Sequence, residues 1–158
     1  MEIENKNKTV RINQKRYIAV IIFLPLIVLL LTSEVVDDSF WGLNKYHWAI
    51  VLALIYILLN VYEHVRDYNY IYVDDSEEKI LFRYISLQPF KNRKYSIEID
   101  KRKFHKYKIL RSFLNIRKHI VLYVQTPHGI AKYPPISISA LDDNNLNKLK
   151  KMLNKYAA

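Results

Sequence analysis

Two long apolar runs dominate the chain as far as Tyr62. The runs, Tyr17–Ser33 and Tyr46–Tyr62, are equal in length and hold no charged side chain. A helix of that length rises about 25 Å, near the lower limit for crossing the hydrocarbon core of a bilayer. The pattern predicts transmembrane helices over residues 17–33 and 46–62. Pro25 predicts a kink in the first helix, because proline lacks the N–H needed for the helical hydrogen bond.

Two other interpretations of these runs compete with this one. The first run can be read as a cleaved signal peptide with Lys15 and Arg16 as its basic region, or both runs as buried helices of a soluble protein. However, the whole segment Met1–Arg16 precedes the first run, and Leu31-Thr32-Ser33 poorly matches a small-x-small cleavage site. Uncharged aliphatic density like that of Ile18–Leu31 is unusual in soluble helices. We therefore expect two retained membrane helices.

After a linker over residues 63–69, the pattern changes to short segments in which apolar and polar residues alternate. Such alternation, rich in β-branched and aromatic residues, predicts half-buried strands. Polar turns separate the segments, and Pro134-Pro135 interrupts pairing because proline donates no hydrogen bond. The predicted strands are Tyr70–Val73, Ile80–Ile85, Tyr95–Ile99, Phe104–Leu110, His119–Thr126 and Ile130–Tyr133, with Ile136 and Ile138 extended.

The C-terminal segment carries a different periodicity. One apolar stripe at helical spacing predicts an amphipathic helix, with lysines on its remaining faces. Ser139 or Asp142 suits the N-cap. The stripe consists of Leu146, Leu149, Leu153 and Tyr156. We therefore predict a small, mainly β domain over residues 70–158, closed by this helix.

The distribution of charge predicts the orientation in the membrane. The chain has 158 residues, 25 Lys and Arg against 15 Asp and Glu, a net charge of +10 and no cysteine. Residues 1–16 carry +3, residues 34–45 carry −2, and the chain after Tyr62 carries +9. By the positive-inside rule, both termini are cytoplasmic and residues 34–45 form a short external loop. We expect a two-pass protein of the inner (cytoplasmic) membrane.

Two sets of residues belong to the predicted helices. Aromatic side chains at the ends of a span favour the headgroup region. The predicted interfacial anchors are Tyr17, Trp41, Tyr46, Trp48 and Tyr62. Small residues and a proline break favour helix packing. The candidate packing residues are Ala19, Pro25, Ala49 and Ala53.

The order of elements resembles the bacterial pleckstrin-homology-like (PH-like) family that is attached to membrane hairpins. The resemblance rests on the segments IYVDDSEEKILFRYIS, YSIEIDKRKF, HIVLYVQTPHGIAKYPPISIS and ALDDNNLNKLKKMLNKY. It implies a bent antiparallel sheet or partial barrel of five to seven strands, closed by the C-terminal helix. The helix lacks the tryptophan common in eukaryotic members, so the phosphoinositide function of those relatives is not carried over.

The candidate binding surface is the basic stretch Lys91–Lys118, which has 11 Lys and Arg against two acids. Each Lys or Arg near an anionic leaflet contributes about 1 kcal/mol of attraction. The stretch is interpreted either as a surface for anionic lipid or a partner protein, or as a solvated face that only reflects orientation. The candidate contact residues are Lys91, Arg93, Lys94, Lys101, Arg102, Lys103, Lys106, Lys108 and Arg111.

Other chemistry is weakly supported by the sequence. Aromatic residues among the basic ones suit nucleic-acid stacking, but we expect them to fill the β-core instead. They are Phe90, Tyr95, Phe104, Tyr107 and Phe113. His105 and His119 could face each other, but no third metal ligand has a recognisable spacing. Ser137 and Ser139 lack a nucleophile-elbow context. We therefore expect no enzyme, no metal and no cofactor.

Two functional hypotheses follow. The first is a non-enzymatic membrane protein that presents a basic PH-like module to the cytoplasm for lipid or partner-protein binding or scaffolding. The second is an accessory subunit of a larger membrane complex that packs through its transmembrane hairpin. Both leave a homo-oligomer possible, and neither favours nucleic acid as a partner.

Overall fold

The computed structural model describes residues 1–33, 44–88 and 93–157. Within them the chain forms two compact units. One unit, here called the helical hairpin, is Arg11–Glu63. The other, here called the β-domain, combines Met1–Val10 with His64–Ala158. The predicted external loop lies largely outside the described residues.

The helical hairpin is formed by α1 (Lys6–Thr32), which begins within the β-domain, and α2 (Lys45–Val65). Both helices are long and apolar enough to cross a membrane, and their apolar windows are not buried inside the protein. The helix α1 starts at Lys6, well before the predicted span at Tyr17, since the Lys, Arg and Gln side chains between them are good helix formers. It continues through Pro25.

The first sheet of the β-domain consists of β1 (Glu2–Glu4), β2 (Asn69–Asp74), β3 (Lys79–Ser86) and β4 (Lys94–Asp100). It is antiparallel, and its strands follow one another in the order β1-β2-β3-β4. In β1, Ile3 pairs with Val73 and is only 1% exposed. The sheet thus joins a strand from before the helical hairpin to three strands from after it.

The second sheet consists of β5 (Phe104–Ser112), β6 (Arg117–Thr126), β7 (Gly129–Lys132) and β8 (Ile136–Ser137). It is also antiparallel: β5 and β7 flank β6, and β8 pairs with an earlier part of β6 than β7 does. A register shift between Phe104 and Lys106 marks a bulge in β5. A bulge bends a strand and increases its twist.

The third helix of the described chain, α3 (Asp143–Tyr156), packs against both sheets. Asp142 is its N-cap, and the side chain accepts a hydrogen bond from the Asn145 backbone N–H at 3.3 Å. Leu149 and Leu153 are fully buried among inward-facing residues of both sheets, such as Phe82 and Ile120. Burial of this stripe accounts for the helix, because its other face is polar.

The structure confirms the strand–turn–strand segments and the C-terminal helix, and it differs at the N-terminus. The prediction of five to seven strands covers β2 to β8, which follow the hairpin, but misses β1. The short segment Glu-Ile-Glu carries too little pattern to indicate a strand. Pairing with β2, which lies on the other side of the hairpin in sequence, decides its structure.

Candidate functional site

The β-domain has two ends, which give the candidate residues their positions. The junction end is where β1 ends and β2 begins, so the chain passes there into α1 and returns from α2. It comprises residues 65–70, 85–88, 93–95, 110–119 and 136–137. The far end comprises residues 74–79, 100–106 and 123–130. The length of β4, seven residues, separates the two ends by about 20 Å.

The structure divides the basic stretch between these two ends. Three exposed candidate residues lie at the junction end: Arg93, Lys94 and Arg111. Four lie at the far end, namely Lys101, Arg102, Lys103 and Lys106, and Lys108 lies along β5 between them. Lys91 lies outside the described residues. The eight described candidates therefore do not form one continuous patch.

Far-end basic residues lie beside the acidic turn between β2 and β3. The Lys101 ammonium donates to the Asp75 carbonyl oxygen at 2.6 Å and lies 5.0 Å from the centre of the Tyr156 ring. Arg102 lies 4.0 Å from the Glu78 carboxylate, and both side chains are highly exposed. Such exposed pairs contribute little to stability, but they place opposite charge next to the far-end bases.

A cavity of about 530 Å³ opens at the far end, lined in part by Asp75, Lys101, Lys151 and Tyr156. Tyr156 donates to the Asp75 carboxylate at 3.0 Å. The carboxylate in this cavity is thus already paired, and three lysines, Lys101, Lys151 and Lys155, line the cavity with it.

At the junction end, Asp67 organises the link between α2 and β2. Its backbone carbonyl accepts from the Ser137 hydroxyl at 2.5 Å, and its carboxylate accepts from the Gln88 amide at 2.8 Å. His119 Nε2 lies 3.8 Å from the other carboxylate oxygen. Asp67 has a φ of 47°, in the left-handed region that Asp tolerates better than most residues.

Hydrogen bonds at the junction end give a structural role to the candidate nucleophiles Ser137 and Ser139. Ser139 accepts from the Lys118 backbone N–H at 3.0 Å, and Ser137 is bonded to Asp67. The register pairs His119 with Leu110, so His105, at the other end of β5, does not face it. Within residues 1–33, 44–88 and 93–157, no group of three or more metal-ligating side chains lies together.

A second concavity, of about 570 Å³, lies on the first sheet and is lined by residues that include Tyr70, Tyr72, Arg83 and Lys94. The Tyr70 hydroxyl donates to the Glu4 carboxylate at 2.7 Å. Burial, together with this hydrogen bond and the Glu4 charge, raises the pKa of Tyr70 to about 12. Tyr70 therefore stays neutral and bonded to β1 at physiological pH.

Three of the four predicted membrane anchors that the structure describes are exposed. Tyr17, Tyr46 and Tyr62 are exposed and Trp48 is half-buried, whereas Trp41 lies outside the described residues. Arg16 donates to Glu63 at 3.0 Å, directly before the first apolar run and after the second. The boundary between charged and apolar residues therefore lies at the same height on α1 and on α2.

The small candidate packing residues lie on the face that the helices share. Ala49 is buried, while Ala19 and Ala53 are half-buried. The Phe23 and Tyr56 rings lie 5.6 Å apart on the same face. Pro25 is exposed on the outer surface of α1. The small residues thus lie on the less exposed face of each helix, where Phe23 and Tyr56 meet.

The aromatic residues of the basic stretch do not share one environment. Phe104 is buried in the core and Tyr107 packs against it, as expected. Phe113 and Tyr95 are exposed, which corrects the expectation that these rings fill the core, and Phe90 lies outside the described residues. Phe113 is exposed because it stands in the β5–β6 turn, beyond the last pair of the ladder.

The fold and these sites define a two-helix hairpin joined to a domain of two antiparallel sheets and a C-terminal helix. A scan of protein-family models and searches of curated proteins and of solved structures found no match to the chain.

Proposed function

We propose that the chain is a non-enzymatic, two-pass protein of the inner membrane that holds a basic PH-like module at the cytoplasmic leaflet. There the module binds lipid headgroups or a partner protein. The observation that carries the proposal is the pairing of β1 with β2. Both ends of the helical hairpin return to the same β-domain, so a membrane-inserted hairpin must cross the bilayer an even number of times.

The order of strands supports the PH-like part of the proposal. Four antiparallel strands are followed by a second antiparallel sheet and a closing amphipathic helix. In this chain the hairpin enters between the first and second strands of the domain. A module connected at two points is held close to the membrane, and its junction end is the end that meets the leaflet.

The charge at the junction end supports contact with anionic headgroups. Arg93, Lys94 and Arg111 are exposed there, away from the acidic β2–β3 turn. Each basic residue near an anionic leaflet contributes about 1 kcal/mol, so these three residues attract the junction end to anionic headgroups. The far-end bases lie about 20 Å away, beyond two Debye lengths at physiological salt.

The topology is tested with single cysteines, since the chain has none of its own. Ser39→Cys lies in the predicted external loop, and Lys148→Cys lies on α3. In intact cells, a membrane-impermeant maleimide is expected to label Ser39→Cys and to label Lys148→Cys only after permeabilisation. Labelling of Lys148→Cys in intact cells would refute the proposed orientation.

Headgroup binding is tested by reversing one basic group at a time in the full-length protein in nanodiscs. The test variant is R93E/K94E/R111E, and the matched control is R102E/K103E/K106E, which changes the net charge equally. Energy transfer from a dye at Lys148→Cys to acceptor lipids reports the distance to the leaflet. On phosphatidylglycerol-containing discs we expect only the test variant to move the β-domain away. Equal effects, or none, would contradict headgroup binding at the junction end.

The accessory-subunit hypothesis differs in where the hairpin packs. Since Ala19, Ala49 and Ala53 lie on the shared face of α1 and α2, a partner helix would have to use the larger apolar side chains outside it. Gentle solubilisation of native membranes, followed by mass spectrometry of co-purified protein and lipid, separates the two hypotheses. A stoichiometric partner released by Leu29→Ala or Ile50→Ala would favour the subunit hypothesis.

A further inference from the structure

The turn between β5 and β6 presents two large apolar side chains to solvent. Phe113 is 58% exposed and Leu114 is 90% exposed. Within residues 64–88 and 93–157, only three other large apolar side chains are exposed: Tyr95, Leu110 and Ile130. Tyr95 and Leu110 also lie at the junction end, so exposed apolar area is concentrated there.

The backbone of the turn holds these side chains away from the core. The Ile116 backbone N–H donates to the Phe113 carbonyl at 3.0 Å, with positive φ at Leu114 (53°) and Asn115 (66°) between them. Positive φ at both central residues is typical of a type I′ hairpin turn, where Asn, Asp or Gly normally stands. Asn115 suits its position, but Leu114 occupies one where a bulky residue is an outlier, and Phe113 also has a φ of 53°.

Basic residues surround this apolar tip. The Arg117 guanidinium lies 5.6 Å from the centre of the Phe113 ring, and Arg111 and Lys118 pair directly below the turn. The described residues within the range 110–119 include no acid. An apolar tip ringed by positive charge is complementary to a bilayer interface, which offers hydrocarbon beneath anionic headgroups.

The position of the tip along the chain fits the same partner. Arg117 donates through Nε to the carbonyl oxygen of Val65, the last residue of α2. Val65 is three residues beyond Tyr62, the end of the apolar run, which is about 4.5 Å along the helix axis. The base of the turn therefore contacts a residue that follows the apolar run by only three positions in the chain.

We infer that Phe113 and Leu114 form a membrane-inserting tip, whose side chains enter the interface of the cytoplasmic leaflet. The inference rests on the proposed function, since it requires the hairpin to cross a membrane with the β-domain beside it. It adds a second attachment of a different kind: apolar insertion at one turn, next to the electrostatic attraction of the junction end. The strained turn is retained for this contact and contributes nothing to the core.

The test uses full-length protein in vesicles of phosphatidylcholine and phosphatidylglycerol. A single cysteine at Leu114→Cys carries an environment-sensitive nitrobenzoxadiazole dye, and Ile130→Cys is the matched control at the far end, since Ile130 is also exposed, at 52%. Lipids with a nitroxide just below the headgroup are expected to quench the dye at position 114 severalfold more than at position 130. Insertion by about 5–10 Å also shifts the emission at position 114 to the blue.

Three results would overturn the inference. Emission typical of water and weak quenching at both positions would place the tip in solvent. Equal quenching at both positions would mean that the domain lies flat without a specific tip. A blue shift at position 114 without lipid quenching, lost when the protein is diluted with additional lipid, would indicate contact with a second copy.

Failure of the membrane-inserting tip can be distinguished from failure of the proposed function. If Lys148→Cys is protected in intact cells and the dye at position 114 stays in water, only the membrane-inserting tip is refuted. If Lys148→Cys is labelled from outside, the proposed orientation falls first. Since Leu114 packs against little, Leu114→Asp in a protein labelled at Asn115→Cys is expected to fold and to lose the quenching, which separates insertion from misfolding.

Discussion

At the residue scale, Leu114 combines high exposure with a left-handed backbone. For an L-residue other than glycine this conformation costs roughly 1–2 kcal/mol. Such a residue persists only when the surrounding structure determines its geometry, here the β5–β6 ladder. Glycine would escape this cost and asparagine would lower it, so the presence of leucine supports a role for its exposed side chain.

Replacing Leu114 with glycine is therefore expected to stabilise the β-domain. The relief of strain exceeds the entropy that glycine loses on folding, leaving a net gain of about 0.5–1 kcal/mol. Pulse proteolysis of the full-length protein in detergent measures the change. Ile130→Gly in β7 is the control, and it is expected to lower the stability of the β-domain by a similar amount. A loss of stability at both positions would mean that Leu114 makes contacts that outweigh its strain.

Tyr70 gives a second prediction at this scale. Its pKa is about 12 in the folded protein against 10.0 in the unfolded chain. Between these values the folded state keeps a proton that the unfolded state has lost, so stability falls as pH rises from 10 to 12. Tyr70→Phe is expected to flatten this fall, and Glu4→Gln is expected to make it smaller, because the pKa of Tyr70 in the folded protein then lies closer to 10.0. Unfolding followed by circular dichroism from pH 10 to 12 measures this dependence of stability on pH. An unchanged slope of stability against pH in Tyr70→Phe would contradict the prediction.

At the element scale, α1 and α2 pack in a definite register. Arg16 contacts Glu63, and Phe23 contacts Tyr56. Moving seven residues toward the C-terminus in α1 therefore corresponds to moving seven residues toward the N-terminus in α2. The same register brings Leu30 opposite Ala49, which are half-buried and buried respectively. The helices thus form an antiparallel pair with aligned apolar runs.

This register predicts which cysteine pairs cross-link in membranes. Leu30→Cys with Ala49→Cys is expected to form a disulfide rapidly under mild oxidation. Leu29→Cys with Ile50→Cys is the matched control, since these residues are close to the same register but lie exposed on the outer faces. Gel mobility with and without reductant reports the cross-link. Faster cross-linking of the control pair would show that the helices are rotated.

At the scale of the whole molecule, the β-domain is discontinuous in sequence. Ile3 lies in the same core as Ile71 and Leu149, and Asn5 accepts from the Ile71 backbone N–H at 2.8 Å. The strand that precedes the hairpin is therefore part of the domain that follows it. Folding of the domain must join residues on both sides of the hairpin.

A fragment of residues 64–158 is accordingly expected to be much less stable than residues 1–10 joined to residues 64–158 by a flexible linker. Loss of the buried Ile3 side chain alone costs about 2–5 kcal/mol, and the missing β1 exposes the edge of β2. Thermal unfolding followed by circular dichroism compares the two. Ile3→Asp in the linked protein should reproduce the loss, whereas Glu2→Gln should not. Equal melting temperatures would show that β1 is dispensable.

Elements whose signal is local could be predicted from the sequence alone. The uncharged runs, the alternating segments β2 to β7 and the stripe of α3 are each written within a few consecutive residues, and the structure confirms the elements. The basic character of the stretch Lys91–Lys118 is likewise a property of composition. Local periodicity and charge need no knowledge of distant contacts, so they could be predicted.

The positions of residues that depend on pairing with distant strands could not be predicted in this way. Ile3 became a core residue because β2 offers an unpaired edge, and the basic stretch was divided because β4 and β5 run in opposite directions. Phe113 is exposed while Phe104, earlier in the same hairpin, is buried, because the ladder ends between them. Chain reversal and strand register set these positions, and neither is encoded in the hydrophobic pattern of one segment.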